Sequence, residues 1–134
     1  MKTLLLSVLL GSVSLVSLGA RERFACNVNG LKSAERARHK ELMGRLLAAV
    51  QQKSELRDGY AFRLPSSDLM MAAEWVSLER KCCPFFTFEI EQPKDQGPVW
   101  LRITGSGGVK AFIEEEFSAG LAHPAPSHDV WDGH

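Results

Sequence analysis

The chain carries no net charge, because its 16 Lys and Arg balance its 16 Asp and Glu. That balance leaves no electrostatic footprint for DNA, RNA or an anionic membrane, so no nucleic-acid partner is expected. The basic cluster Arg36, Arg38, Lys40 and Arg45 is interleaved with Glu35 and Glu41 at helical spacing and reads as a solvated, ion-paired face. Cysteine is scarce: there are three, Cys26, Cys82 and Cys83, and no Cys-x-x-Cys motif to suggest a thioredoxin-type enzyme. No Ser-His-Asp constellation has a recognisable context. Glu114-Glu115-Glu116 reads as another solvated helix face, so hydrolase chemistry has no support and no catalytic residue is assigned. Gly105-Ser106-Gly107-Gly108 lacks the Lys-Ser/Thr of a phosphate-binding loop and the spacing of a dinucleotide fingerprint. It reads as a strand-to-helix turn, and no cofactor-binding residue follows from it.

Long apolar runs are scarce as well. The run from Leu4 to Leu18 is short for a membrane span, which needs about 20 residues. Lys2 before it, and the small residues Ser17, Gly19 and Ala20 ahead of Arg21-Glu22-Arg23, give residues 1–20 the build of a secretory signal peptide cleaved after Gly19 or Ala20. The expected protein is exported, periplasmic or secreted, with no stable membrane span after cleavage. The alternative is a cytoplasmic chain, or one anchored by an uncleaved leader.

What remains fits a single α+β domain over residues 24–117. Phe24–Val28 is short and apolar, consistent with a first strand. From Ser33 to about Lys53, His39, Met43, Leu46, Leu47 and Val50 recur at helical spacing, with Ser33 as N-cap. After the Asp58-Gly59 turn, Tyr60, Phe62 and Leu64 alternate as a strand that Pro65 stops. A second helix starts at Ser66-Ser67-Asp68, buries Leu69, Ala72, Ala73 and Val76, and ends near Cys82, because Pro84 biases Cys83 out of the helical region. Phe86, Phe88 and Ile90, then Val99, Leu101 and Ile103, alternate as the arms of a hairpin, in which Arg102 faces Glu89 or Glu91. A third helix follows, with Val109, Phe112, Ile113 and Phe117 inward and Gly120 closing it. The expected order is β-α-β-α-β-β-α: a small, mostly antiparallel sheet with helices on one face. Residues 121–134, rich in Pro, His, Asp and Gly, read as a disordered tail.

Three stretches carry a resemblance: Asp58-Gly59-Tyr60-Ala61-Phe62-Arg63, Glu79-Arg80-Lys81-Cys82-Cys83-Pro84-Phe85, and Trp100-Leu101-Arg102-Ile103-Thr104-Gly105, with the helix start Gly108-Val109-Lys110 after them. Together they resemble a family of small, functionally uncharacterised bacterial proteins, and the Glu-Arg-x-Cys-Cys-Pro-Phe core is the specific part. The resemblance implies domain boundaries and no activity. Many members of that family look cytoplasmic and lack a leader, a pattern from which this chain departs.

The chemistry lies in the cysteines. Adjacent thiols favour thiophilic ions such as Hg(II), As(III), Cu(I) or Zn(II). Cys82 and Cys83 are the candidate metal ligands, and Cys26 either completes a three-thiolate site or pairs with one of them. Neighbouring side chains at a helix end are expected to point apart, which weighs against one ion held by both. Arg80 and Lys81 favour thiolate, whereas the helix C-terminus disfavours it. Three functions stay open: binding of a thiophilic metal or metalloid ion, thiol–disulfide exchange with a thiol partner, or a structural domain whose cysteines only pack. His123, His128, His134, Asp129 and Asp132 offer at most a weak adventitious metal site, and His39 reads as a satisfied, partly buried histidine.

Overall fold

A computed structural model describes residues 24–122 of the chain. The helices are α1 (Ser33–Ala49), α2 (Leu69–Cys82) and α3 (Val109–Ala122), and the strands are β1 (Gln52–Leu56), β2 (Gly59–Leu64), β3 (Thr87–Glu91) and β4 (Val99–Thr104). The strands form one sheet of order β1-β2-β4-β3, antiparallel at every pairing. This is the expected small α+β domain.

Period-2 alternation explains which face is covered. Phe62 pairs with Leu101, Leu64 with Val99, and Ile90 with Leu101. These residues share a face, and Phe62, Leu64, Val99, Leu101 and Ile103 are buried there. The helices supply the facing layer: Leu42 and Leu46 from α1, Ala72 and Trp75 from α2, Ile113 and Phe117 from α3. Trp75 meets Phe88 and Phe117 edge-on, at ring-centroid distances of 5.9 and 6.0 Å. The other sheet face carries Arg63, Glu89, Glu91, Trp100 and Arg102. Arg102 donates to Glu91 at 2.7 Å rather than to its direct neighbour Glu89. Gly59 is required where β2 crosses β4, because any side chain there would run into the carbonyl oxygen of Ile103.

The order differs from expectation at two places. Phe24–Val28 is not a strand; an irregular segment leads into a 3₁₀ turn over Val28–Gly30. Its backbone is spent on α2 instead of the sheet, with the Asn27 N–H donating to the Cys82 carbonyl at 2.8 Å. Its Phe24 ring packs 5.0 Å from Phe85. The second difference is β1. The first helix stops at Ala49, where Val50 turns to φ −61°, ψ 118°, and Gln52–Leu56 pairs with β2 as an edge strand. Its sequence, Gln-Lys-Ser-Glu-Leu, has no apolar alternation, and as an edge strand it leaves every residue exposed or half-buried. Smaller shifts are the N-cap of α1, which falls at Lys32 instead of Ser33, and α3, which runs past Gly120 to Ala122. The basic face of α1 is ion-paired in part: Arg38 bonds Glu41 and Glu74 and Arg45 lies 3.9 Å from Glu41, whereas Arg36 donates to the Leu31 carbonyl; Glu35 is taken by Lys81 of α2.

β1 is fastened to α3 by charge. Lys53 reaches Glu114 at 2.5 Å and lies over the Tyr60 ring. The Lys53 ammonium, then the hydroxyls of Tyr60 and Ser118, hold the Glu114 carboxyl down to about 2 from its ordinary 4.5. A carboxylate whose folded value is depressed adds stability above its unfolded value and loses it as pH falls toward the folded one. Glu114→Gln should therefore unfold at lower denaturant than wild type at pH 6. The gap should close as pH drops from about 4.5 toward 2, read by urea titrations across that range.

Candidate functional site: a buried cysteine and glutamate cluster

The cluster is built at the C-terminal end of α2. Helical spacing stacks Glu79 and Cys82 one turn apart on the inner side, and both are buried. Pro84 then takes the chain out of the helix at Cys83, whose backbone sits at φ −120°, ψ 70° while its N–H still closes on the Glu79 carbonyl at 2.8 Å. This half-turn departure corrects the expectation that the two side chains diverge. Both sulfurs face inward, with Cys82 Sγ 3.9 Å from Cys83 Sγ.

Cys26 arrives from the N-terminal segment and forms a disulfide with Cys83, the Cα atoms 4.8 Å apart across a separation of 57 residues. Cys82 is the free cysteine, and it is buried. One sulfur each from Cys26, Cys82 and Cys83 and one carboxylate oxygen of Glu79 lie within 4.8 Å of one another, a grouping that could hold a metal ion. The structure thus brings all three predicted ligands together, two of them joined by a covalent bond.

Glu79 is the member that sequence reasoning missed. Its side chain is only 4 % exposed and has no Lys or Arg partner among the described residues. Instead its Oε2 hydrogen-bonds His39 Nε2 from α1 and lies 3.7 Å from Cys82 Sγ, while its Oε1 lies 3.9 Å from Cys26 Sγ. The carboxylate therefore bridges the free thiol and the disulfide. The signal for it was the i, i+3 spacing of Glu79 and Cys82 on one helix face, with His39 as the only ring nitrogen on the apolar stripe of α1. His39 is the satisfied, partly buried histidine expected, 6.3 Å from the Trp75 ring.

The electrostatics disfavour thiolate. Burial pushes the Cys82 thiol up to about 11, helped by the Glu79 charge and hydrogen bond. Arg80 and Lys81 do not offset this, because both are exposed and Lys81 is engaged by Glu35 at 2.7 Å. The histidine- and aspartate-rich stretch from His123 to His134 lies outside the described residues, as do residues 1–23 with the expected signal peptide. No helix among the described residues is long and apolar enough to cross a membrane. No family model, curated protein or solved structure matches the chain.

Thiol counting checks the covalent state. The chain unfolded without reductant should show one thiol and the reduced chain three, with reduction lowering stability by about 4 kcal/mol in the chain-entropy account of loop closure. Three thiols before any reductant is added would exclude the disulfide.

Proposed function

We propose that this protein binds a soft metal or metalloid ion through Cys82, Cys83 and Cys26 once the Cys26–Cys83 disulfide has been reduced. The observation that carries the reading is the convergence of three sulfurs and one carboxylate within 4.8 Å. Thiophilic ions prefer such a sulfur-rich set, and only thiolates ligate them, so the oxidised chain lacks two of the three donors. An external dithiol opens the bond, becoming a disulfide as Cys26 and Cys83 become thiols. The ion then supplies the charge that makes the Cys82 thiolate affordable in its buried position, and its uptake releases the thiol protons. Glu79, with its hard oxygen, is the natural acceptor for one of them.

A second reading, thiol–disulfide exchange, is favoured by one observation of its own: a free thiol 3.9 Å from a disulfide sulfur. Export is part of the proposal. A disulfide persists in oxidising compartments, and the first 20 residues have the composition of a leader. Intact mass of the natively produced protein should lack those residues; a retained Met1 in the cytosol would refute export.

The ion-binding reading is tested by titrating As(III) or Hg(II) into reduced and oxidised protein under anaerobic conditions. The reduced chain should take up one ion and the oxidised chain should bind far more weakly. Cys82→Ser, Cys83→Ser together should weaken binding by at least about 100-fold, roughly 3 kcal/mol. Equal affinity in the double variant would leave the cysteines as packing alone.

A further inference from the structure

The oxidised chain holds an arrangement that ion binding does not use. A free thiol, a disulfide and a buried carboxylate share one small space, and the carboxylate touches a sulfur with each oxygen. We propose that Cys82 is the attacking thiol of an internal disulfide exchange that moves the bond from Cys26–Cys83 to Cys82–Cys83 and delivers a free thiol at Cys26. This concerns the oxidised protein and stands whether or not an ion binds the reduced one.

The step balances within the chain. Cys82 Sγ gives its proton to Glu79 Oε2, 3.7 Å away, and its electron pair attacks Cys83 Sγ, 3.9 Å away. The Cys82–Cys83 sulfur bond forms as the Cys83–Cys26 bond breaks. Cys26 leaves as thiolate, and the proton returns to it once the Glu79 carboxyl has turned about its Cγ–Cδ bond and brought the protonated oxygen to the Oε1 position, 3.9 Å from the Cys26 sulfur. One disulfide and one thiol exist before and after, so no oxidant or reductant is consumed. His39 holds the carboxylate in place between the sulfurs through its Nε2.

Burial gives the exchange a direction of use. Cys82 and Cys83 are 1 % and 0 % exposed, so neither meets an external reagent directly. Cys26 is half-buried at the surface edge of the cluster, between the exposed Ala25 and Asn27. The exchange therefore transfers reactivity from an inaccessible thiol to an accessible one, which suits attack on an external disulfide or capture of a thiol-reactive electrophile. The segment carrying Cys26 has anchors besides the disulfide. The Asn27 N–H donates to the Cys82 carbonyl and Phe24 packs on Phe85 and Phe112. The adjacent-residue disulfide requires the Cys82 and Cys83 sulfurs to close from 3.9 Å to about 2.05 Å, so it is the minor isomer, and an irreversible trap is needed to see it.

The experiment treats the folded, oxidised, metal-free protein with iodoacetamide in the absence of reductant, quenches in acid, and maps the modified peptides by mass spectrometry. The expected product carries the label on Cys26 together with an intact Cys82–Cys83 link, and forms at a rate independent of protein concentration. Cys82→Ser should leave Cys26 unlabelled, and at iodoacetamide concentrations where alkylation outpaces the exchange, Glu79→Gln should slow labelling by about 100-fold, the contribution of a positioned proton carrier. Label confined to Cys82 or Cys83, no label in the folded wild type, or a rate that rises with protein concentration would overturn the exchange. Unaltered labelling in Glu79→Gln would overturn the role of the carboxylate as proposed. Should either variant fail to fold, the wild-type peptide map and its concentration dependence still decide. Because no metal is added, these outcomes are independent of the As(III) and Hg(II) titrations.

Discussion

The arrangement of the cluster depends on where α2 is forced to end. Pro84 cannot follow a helical residue comfortably, so the chain leaves the helix at Cys83 while Cys82 remains its last helical residue. Had the helix continued for one more residue, the two sulfurs would have projected about 100° apart, the angular step set by 3.6 residues per turn. The departure instead turns Cys83 back beside Cys82 and leaves both buried. It also exposes the last carbonyls of α2, and the N-terminal segment comes to meet one of them through Asn27. That same approach carries Cys26 to Cys83. A single backbone constraint thus accounts for the sulfur pair, the docking of the N-terminal segment and the disulfide.

The second constraint is the cost of burying Glu79. A carboxylate removed from water needs hydrogen-bond partners or a counter-charge. The fold supplies His39 and two sulfur neighbours, and no Lys or Arg among the described residues. This is an expensive place to keep a charge if the cysteines merely pack, since an apolar residue on that turn of α2 would join Leu78 and Trp75 in the core more cheaply. The carboxylate is chemically useful when a thiol must lose a proton, which is the step common to ion capture and to disulfide exchange. Burial first, and then the Glu79 charge, raise the Cys82 thiol, so the free cysteine is quiet until a reaction partner draws the proton away.

Much of the fold is legible in the sequence because apolar periodicity reports burial directly. Val99, Leu101 and Ile103 alternate and are buried, and Val109, Ile113 and Phe117 recur at helical spacing and are buried. Where the backbone is held by something other than an apolar stripe, the pattern misleads. Phe24–Val28 is apolar because Phe24 packs on Phe85 and Phe112, yet its hydrogen bonding goes to a helix end and not to a sheet. β1 is polar because it is an edge strand fastened by Lys53 and backbone pairing. At the site, the three cysteines are identifiable by residue type alone. Glu79 and His39 are not, since only the packing of α1 against α2 brings them together across 40 positions of sequence.

In the proposed function the sulfurs of Cys26, Cys82 and Cys83 act together on one thiophilic partner. The most direct measurement is X-ray absorption at the arsenic edge of reduced protein loaded with one equivalent of As(III). Three sulfur neighbours and no oxygen or nitrogen are expected in the first shell, reduced to one sulfur when Cys82 and Cys83 are both replaced by Ser. A first shell made only of oxygen, or one unchanged by that replacement, would contradict it.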